Sequence, residues 1–114
     1  MSENDRALLN DMLDSSRRLL KRIEGKQFDE LFAEEHLLGD ATVRSIEVVG
    51  EAAGHVSKAF QAQHPEVEWS KIVGMRNRLI HGYADVNWRI VWEVATQQIP
   101  ILVRQIEHIL ETDN

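Results

Sequence analysis

The chain has 114 residues, 43% of them hydrophobic and 28% charged, with six glycines and two prolines. That is the composition of a globular protein, and the length suits one hydrophobic core, so a single domain over residues 1–114 is expected. The absence of cysteine excludes disulfides, thiolate metal sites and cysteine nucleophiles, and a formal net charge of −6 argues against indiscriminate binding to nucleic acid.

The N-terminal MSENDRALLN has neither the basic start nor the apolar centre of an export signal. No apolar run approaches the roughly 18 residues of a membrane span. A cytoplasmic protein that does not engage a membrane is the expectation. Charge is not evenly spread, however. From Trp69 to Arg89, Lys71, Arg76, Arg78 and Arg89 stand against Asp85, a local balance of +3, while the first 40 residues are rich in Asp and Glu. A polyanion would be met in the 69–89 stretch.

Leu8, Leu9, Met12, Leu13, Ser16, Leu19, Leu20 and Ile23 recur at helical intervals and predict a first helix over about 4–24. Ser2, three residues before Asp5, suits an N-cap, and Gly25 suits a left-handed C-terminal residue. Phe28 to Leu38 has helical propensity over a short length, and Gly39–Asp40 is either a break or a weak point within a longer helix. Val43, Ile46, Val49, Gly50, Ala53, Val56 and Phe60 line one face and predict a helix over 40–62, ended by Pro65. A third helix is predicted over 69–81, with Ser70 near its start. After 82-GYADVN-87, the series Trp88, Val91, Trp92, Ala95, Ile99, Leu102, Ile106 and Ile109 predicts a long last helix kinked at Pro100. With no alternating strand pattern, the fold class is all-α, an antiparallel bundle of four to five helices.

Chemistry concentrates in 76-RNRLIHGY-83. On a helical wheel with Ile72 at 0°, Arg76 falls at about 40°, inside the arc of Met75, Leu79 and Tyr83. Asn77 and His81 fall on the polar side at about 140° and 180°. An arginine on the apolar face needs a carboxylate, and Glu47 or Glu51, one turn apart on the preceding helix, can supply it. A structural ion pair for Arg76, a helix-end His81 and a core-packed Tyr83 with its hydroxyl at the surface form one reading of these residues. Glu51 and His55 lack a third ligand at metal spacing, so no metal site is expected. His36, His64 and His108 read as isolated and solvated, and Trp88, Val91 and Trp92 as core or dimer interface. No glycine-rich phosphate loop or other nucleotide fingerprint is present, and no cofactor is expected.

The octet resembles the R-x4-H-x-Y signature of the HepT-like toxins within the HEPN superfamily of helical ribonucleases. The flanking segments 40-DATVRSIEVVGEAAGHVS-57 and 86-VNWRIVWEVATQQIPILVRQIE-107 resemble the family's second and last helices, so the likeness spans roughly residues 5–110. The resemblance implies a metal-independent endoribonuclease, the toxin of a toxin–antitoxin pair whose antitoxin is an MntA-like nucleotidyltransferase. Carried over by position, Arg76 and His81 are the catalytic pair, Asn77 supports them, and Tyr83 is the site of adenylylation by the partner. A homodimer with both motifs at a shared cleft is also implied. Arg78, Lys71 and Arg89 are the candidate RNA-binding cations. The competing reading is a non-catalytic helical module that binds or scaffolds a nucleotidyltransferase; a purely structural bundle with an Arg76–Glu47 pair is a third.

Overall fold

In the computed structural model, which describes residues 1–81 and 85–113 except for the side chain of His81, the first helix is the most regular element. Helix α1 (Glu3–Ile23) is capped by Ser2, whose Oγ accepts the Asp5 N–H at 3.0 Å. It stops at Gly25, whose φ of +74° is the left-handed geometry predicted there. Its face Leu9, Met12, Leu13, Ser16, Leu19 and Ile23 is buried.

Phe28–Leu38 does not form one helix. Phe28–Phe32 is a 3-10 turn, and Glu34, Glu35 and His36 at the start of α2 (Ala33–His55) all have positive φ, 53°, 55° and 68°. The chain thus makes one left-handed turn before regular α-helix begins. Gly39 is not a break: it lies inside the longer helix α2, the second of the two alternatives. A Cβ there would lie 2.7 Å from the Leu31 carbonyl oxygen and 2.7 Å from a Trp88 ring carbon, so the missing side chain is what admits both neighbours.

Helices α1 and α2 run antiparallel. Asp5, at the start of α1, binds Ser57, just past the end of α2, while further along the Ser15 hydroxyl donates to the Ser45 carbonyl and Arg22 donates to Ser45 Oγ. Helix α7 (Ile99–Thr112) is antiparallel to α1 by the same test, with Arg6 donating to the Asp113 carbonyl and Arg17 paired with Glu107 at 2.6 Å.

The predicted 40–62 helix is two helices. Helix α2 ends at His55, and Val56 is extended. Ser57 caps α3 (Lys58–Gln63) by accepting the Phe60 N–H. The break is held from outside: the buried Asp5 carboxylate accepts the Ser57 N–H at 2.9 Å and the Ser57 hydroxyl at 2.7 Å, and Gln61 donates to the carbonyls of Ala53 and Val56. The predicted apolar face nonetheless survives, with Val56 and Phe60 buried across the break.

The predicted 69–81 helix is also interrupted. Helix α4 (Trp69–Val73) ends at Gly74, α5 (Met75–Leu79) follows, and Ile80 is already extended. Ser70 does not cap α4, whose N-cap is Glu68. Strand β1 (Ile80–His81) pairs antiparallel with β2 (Asp85–Val86) in the register Ile80↔Val86 and His81↔Asp85, a ladder that no alternating pattern announced. The Asn87 N–H extends it by donating to the Leu79 carbonyl at 2.7 Å. The predicted connection 82–87 falls partly here, and Gly82 and Tyr83 lie outside the described residues.

The last helical rod comprises α6 (Trp88–Glu93), capped by Asn87, a π-helical stretch Val94–Gln98, and α7. Ile99 donates its N–H to Val94 five residues back, so the irregularity predicted for Pro100 takes the form of a widened turn just before it. Val91, Ala95, Ile99, Leu102, Ile106 and Ile109 are buried as predicted and close one core with α1, α2, α4 and α5. The fold is all-α, as expected, with the two-residue ladder as its one described extended feature. No described helix is long and apolar enough to cross a membrane.

Candidate functional site

Residues 76–81 straddle the end of α5, so the single-helix wheel does not describe them. Arg76 sits one residue into a helix that restarts after Gly74, and its side chain is 63% exposed instead of buried among Met75 and Leu79. The wheel failed because the break at Gly74 and the turn into β1 re-aim the segment. Asn77 is exposed, as predicted for a polar face. His81 is in β1, not on a helix, and its backbone is paired with Asp85. Its side chain and the whole of Tyr83 lie outside the described residues.

Arg76 meets one of its two predicted partners. Its Nε–H donates to Glu47 Oε2 at 2.9 Å. Glu51 is exposed and lines the same open depression of about 400 Å³ without pairing with Arg76 among the described contacts. Arg44, Glu47, Gly50, Gly54, His55, Val73 and Arg76 complete its lining. Gly50 explains the closeness of the two walls, since a Cβ there would lie 3.0 Å from the Ile72 carbonyl oxygen and α2 meets α4 backbone to backbone. Glu47 stands one turn before that contact, within reach of Arg76.

The sequence reading missed Arg44. Its signal was present, since Arg44, Glu47, Glu51 and Gly54 follow each other at three- and four-residue steps on one face of α2.

The other candidate cations do not gather around Arg76. Lys71 lies 4.0 Å from Glu68 and lines a different hollow with Met75, Gln98 and Gln105. Arg89, on α6, places its guanidinium 3.9 Å from the centre of the Phe28 ring, a cation–π contact with the 3-10 turn. Arg78 is half-buried, and its Nη1 has no hydrogen-bond partner among the described residues. Phe28, Phe32, His36, Trp88 and Trp92 form a chain of edge and tilted ring contacts around that turn. His36 is therefore exposed but packed, and His64 stacks on Phe60 at 4.4 Å, whereas both were expected to be simply solvated. Trp88 and Trp92 are partly buried against the core, with Val91 fully inside.

Among the described residues no group of three or more His, Asp or Glu side chains could hold a metal ion. Among the described residues, the one group with a displaced titration is Asp5, which does not line this depression. Burial raises the Asp5 pKa, but the hydrogen bonds from Ser57 and Ser2 and the N-terminal charge outweigh it and hold the carboxyl below its ordinary value.

A family model described as "Ribonuclease HepT-like" matches residues 12–109. The chain belongs to this family. It is 39% identical over 108 residues, covering 95% of this chain and 96% of the relative, to a protein of Caldanaerobacter subterraneus subsp. tengcongensis named "Putative RNase". A "Putative RNase" of Methanocaldococcus jannaschii is 31% identical over 93% of this chain and 87% of its own length. The "Probable ribonuclease HepT" of Thermococcus cleftensis is 35% identical over 60% of this chain and 63% of its own. No solved structure matches the chain. The resemblance carried by 76-RNRLIHGY-83 and its flanking helices thus reflects membership of the HepT-like ribonucleases.

Proposed function

We propose that this HepT-like protein is a metal-independent endoribonuclease, the toxin of a toxin–antitoxin pair, with Arg76 and His81 as its catalytic residues and Asn77 in support. The observation that carries the reading is that α5 ends between Arg76 and His81, with Arg76 and Asn77 exposed and Arg76 lining an open depression. On one continuous helix the two motif residues would point about 140° apart; a chain that turns between them is free of that constraint.

Cleavage begins with removal of a proton from the 2′-hydroxyl, whose oxygen then bonds to the adjacent phosphorus. The bond from phosphorus to the 5′-oxygen breaks, and that oxygen takes up a proton. An imidazole can give or take those protons near neutral pH, a contribution commonly worth ~10²–10⁴ in rate. A guanidinium offers planar donors to the phosphoryl oxygens as negative charge builds on them. The products are a 2′,3′-cyclic phosphate and a free 5′-hydroxyl. A homodimer that faces two motifs across one cleft supplies a second imidazole.

Regulation follows from Tyr83. An MntA-like nucleotidyltransferase partner joins the phenol oxygen to the α-phosphorus of ATP and releases pyrophosphate. The added AMP is a bulky anion two residues from His81 and competes with RNA phosphate for the same cations.

Purified protein freed of AMP should cut RNA in the presence of a chelator and leave cyclic phosphate ends, and His81→Ala or Arg76→Ala should lose at least about 100-fold in rate. Equal activity in all three proteins, or none in the wild type, would refute the nuclease. Co-production with an MntA-like nucleotidyltransferase should add an AMP-sized mass that Tyr83→Phe does not acquire. The Arg76–Glu47 ion pair favours one rival, the structural bundle. That rival requires Arg76→Ala to unfold more easily, whereas an exposed pair contributes at most about 1 kcal/mol.

A further inference from the structure

The contact between Glu47 and Arg76 is one-sided in a way that bears on the reaction. The carboxylate is the more enclosed partner, 26% exposed against 63% for the arginine. It takes the Nε–H alone, and among the described residues neither Nη of Arg76 makes a hydrogen bond or ion pair. A guanidinium has five N–H donors, so one is committed and four remain, arranged as the outer fork that matches two oxygens of a phosphodiester. A pair this exposed adds little to stability. Its consequence is geometric: the flexible arginine stem is pinned at its inner nitrogen while its outer edge stays free.

We propose that Glu47 is a positioning residue that holds Arg76 by its Nε–H and so presents both Nη groups to the scissile phosphodiester. Glu47 does not touch the substrate. Its own place is set by α2, which meets the Ile72 carbonyl at Gly50 one turn further on. The role rests on the nuclease reading for its kinetic consequence, but the geometry can be measured without cleavage.

In Glu47→Ala the guanidinium is unpinned, and kcat should fall about 10–100-fold with KM little changed, the penalty of a misplaced catalytic donor. Glu47→Gln keeps an acceptor oxygen for the Nε–H and should recover most of that loss. Glu107→Ala, which breaks the exposed pair with Arg17 elsewhere, should cut like the wild type. Thermal unfolding midpoints of all three should agree within a few degrees. A Glu47→Ala protein as fast as wild type, or a Glu47→Gln protein as slow as Glu47→Ala, would overturn the proposal.

The second measurement uses ¹⁵N spectra of the arginine Nε–H groups, with the Arg76 signal assigned by its absence from Arg76→Lys. That signal should be protected from exchange in wild type and Glu47→Gln and lost in Glu47→Ala. It should persist when a 2′-deoxy dinucleotide, which lacks the attacking hydroxyl, is added. Loss on adding the dinucleotide would mean that phosphate displaces Glu47, and the positioning role would fall. If the signal behaves as stated and the wild type cuts no RNA, the nuclease reading falls while the pinned guanidinium stands.

Discussion

Two glycines on the same helix should respond in opposite directions to the same substitution. At Gly39 an added methyl would lie 2.7 Å from the Leu31 carbonyl oxygen and 2.7 Å from Trp88 Cζ3, and ordinary contact begins near 3.4 Å, so about 0.7 Å must be found on two sides at once. One neighbour is backbone, and the other is a ring in contact with Phe32 and His36. Neither is the loose end of a flexible side chain. Overpacking of this kind costs up to about 3 kcal/mol, offset by about 1 kcal/mol of helix propensity on replacing glycine with alanine. The net for Gly39→Ala is a loss of about 2 kcal/mol, or roughly 8 °C in Tm for a chain of this size.

At Gly54 the nearest atoms are the Val73 methyls at 3.8 and 3.9 Å, an ordinary contact. Gly54→Ala should therefore gain about 0.5–1 kcal/mol. Urea unfolding followed by circular dichroism measures both, with the midpoints moving apart and the slopes unchanged. The reasoning fails if Gly39→Ala matches the wild type or if Gly54→Ala proves the less stable of the two variants.

Two further predictions follow from the same structure. Because Asp5 titrates below its ordinary value when folded, its contribution is present above about pH 4 and is lost as pH falls through the lower, folded-state pKa; Asp5→Asn should be destabilised at neutral pH, by about 1.5–3 kcal/mol for the charged hydrogen bonds to Ser57, and the gap to wild type should close in acid denaturation below pH 4. A gap that stays constant from pH 7 to pH 2 would refute that assignment. Glu35, at φ 55°, is in a conformation that costs a non-glycine residue roughly 1–2 kcal/mol, so Glu35→Gly should leave stability unchanged or raise it, while Glu51→Gly, in the regular part of α2, should lose about 1 kcal/mol. Equal losses in the two variants by thermal denaturation would show that residue 35 is in ordinary right-handed helix.

Much of this molecule is written locally in its sequence. The apolar series of α1, α2 and the last rod, the Ser2 cap and the left-handed Gly25 are all consequences of three- and four-residue spacing or of one residue's own stereochemistry. The octet 76-RNRLIHGY-83 and its flanking helices likewise carried the family, since a motif is a property of order along the chain. Tertiary structure decided where the helices stop. Ser57 is a capping residue type, but the carboxylate that holds the break there is Asp5, 52 residues away. Gly39 could be read as a break until the chain ran through it as helix beneath Leu31 and Trp88. The choice between Glu47 and Glu51 was equally open, because both lie one turn apart on the same face. The crossing of α2 over α4 at Gly50 and the restart of the chain after Gly74 settled it for Glu47 and turned Arg76 outward. Periodicity reports which face of an element is buried, but the ends of elements and the partners of charges depend on groups brought together from distant parts of the chain.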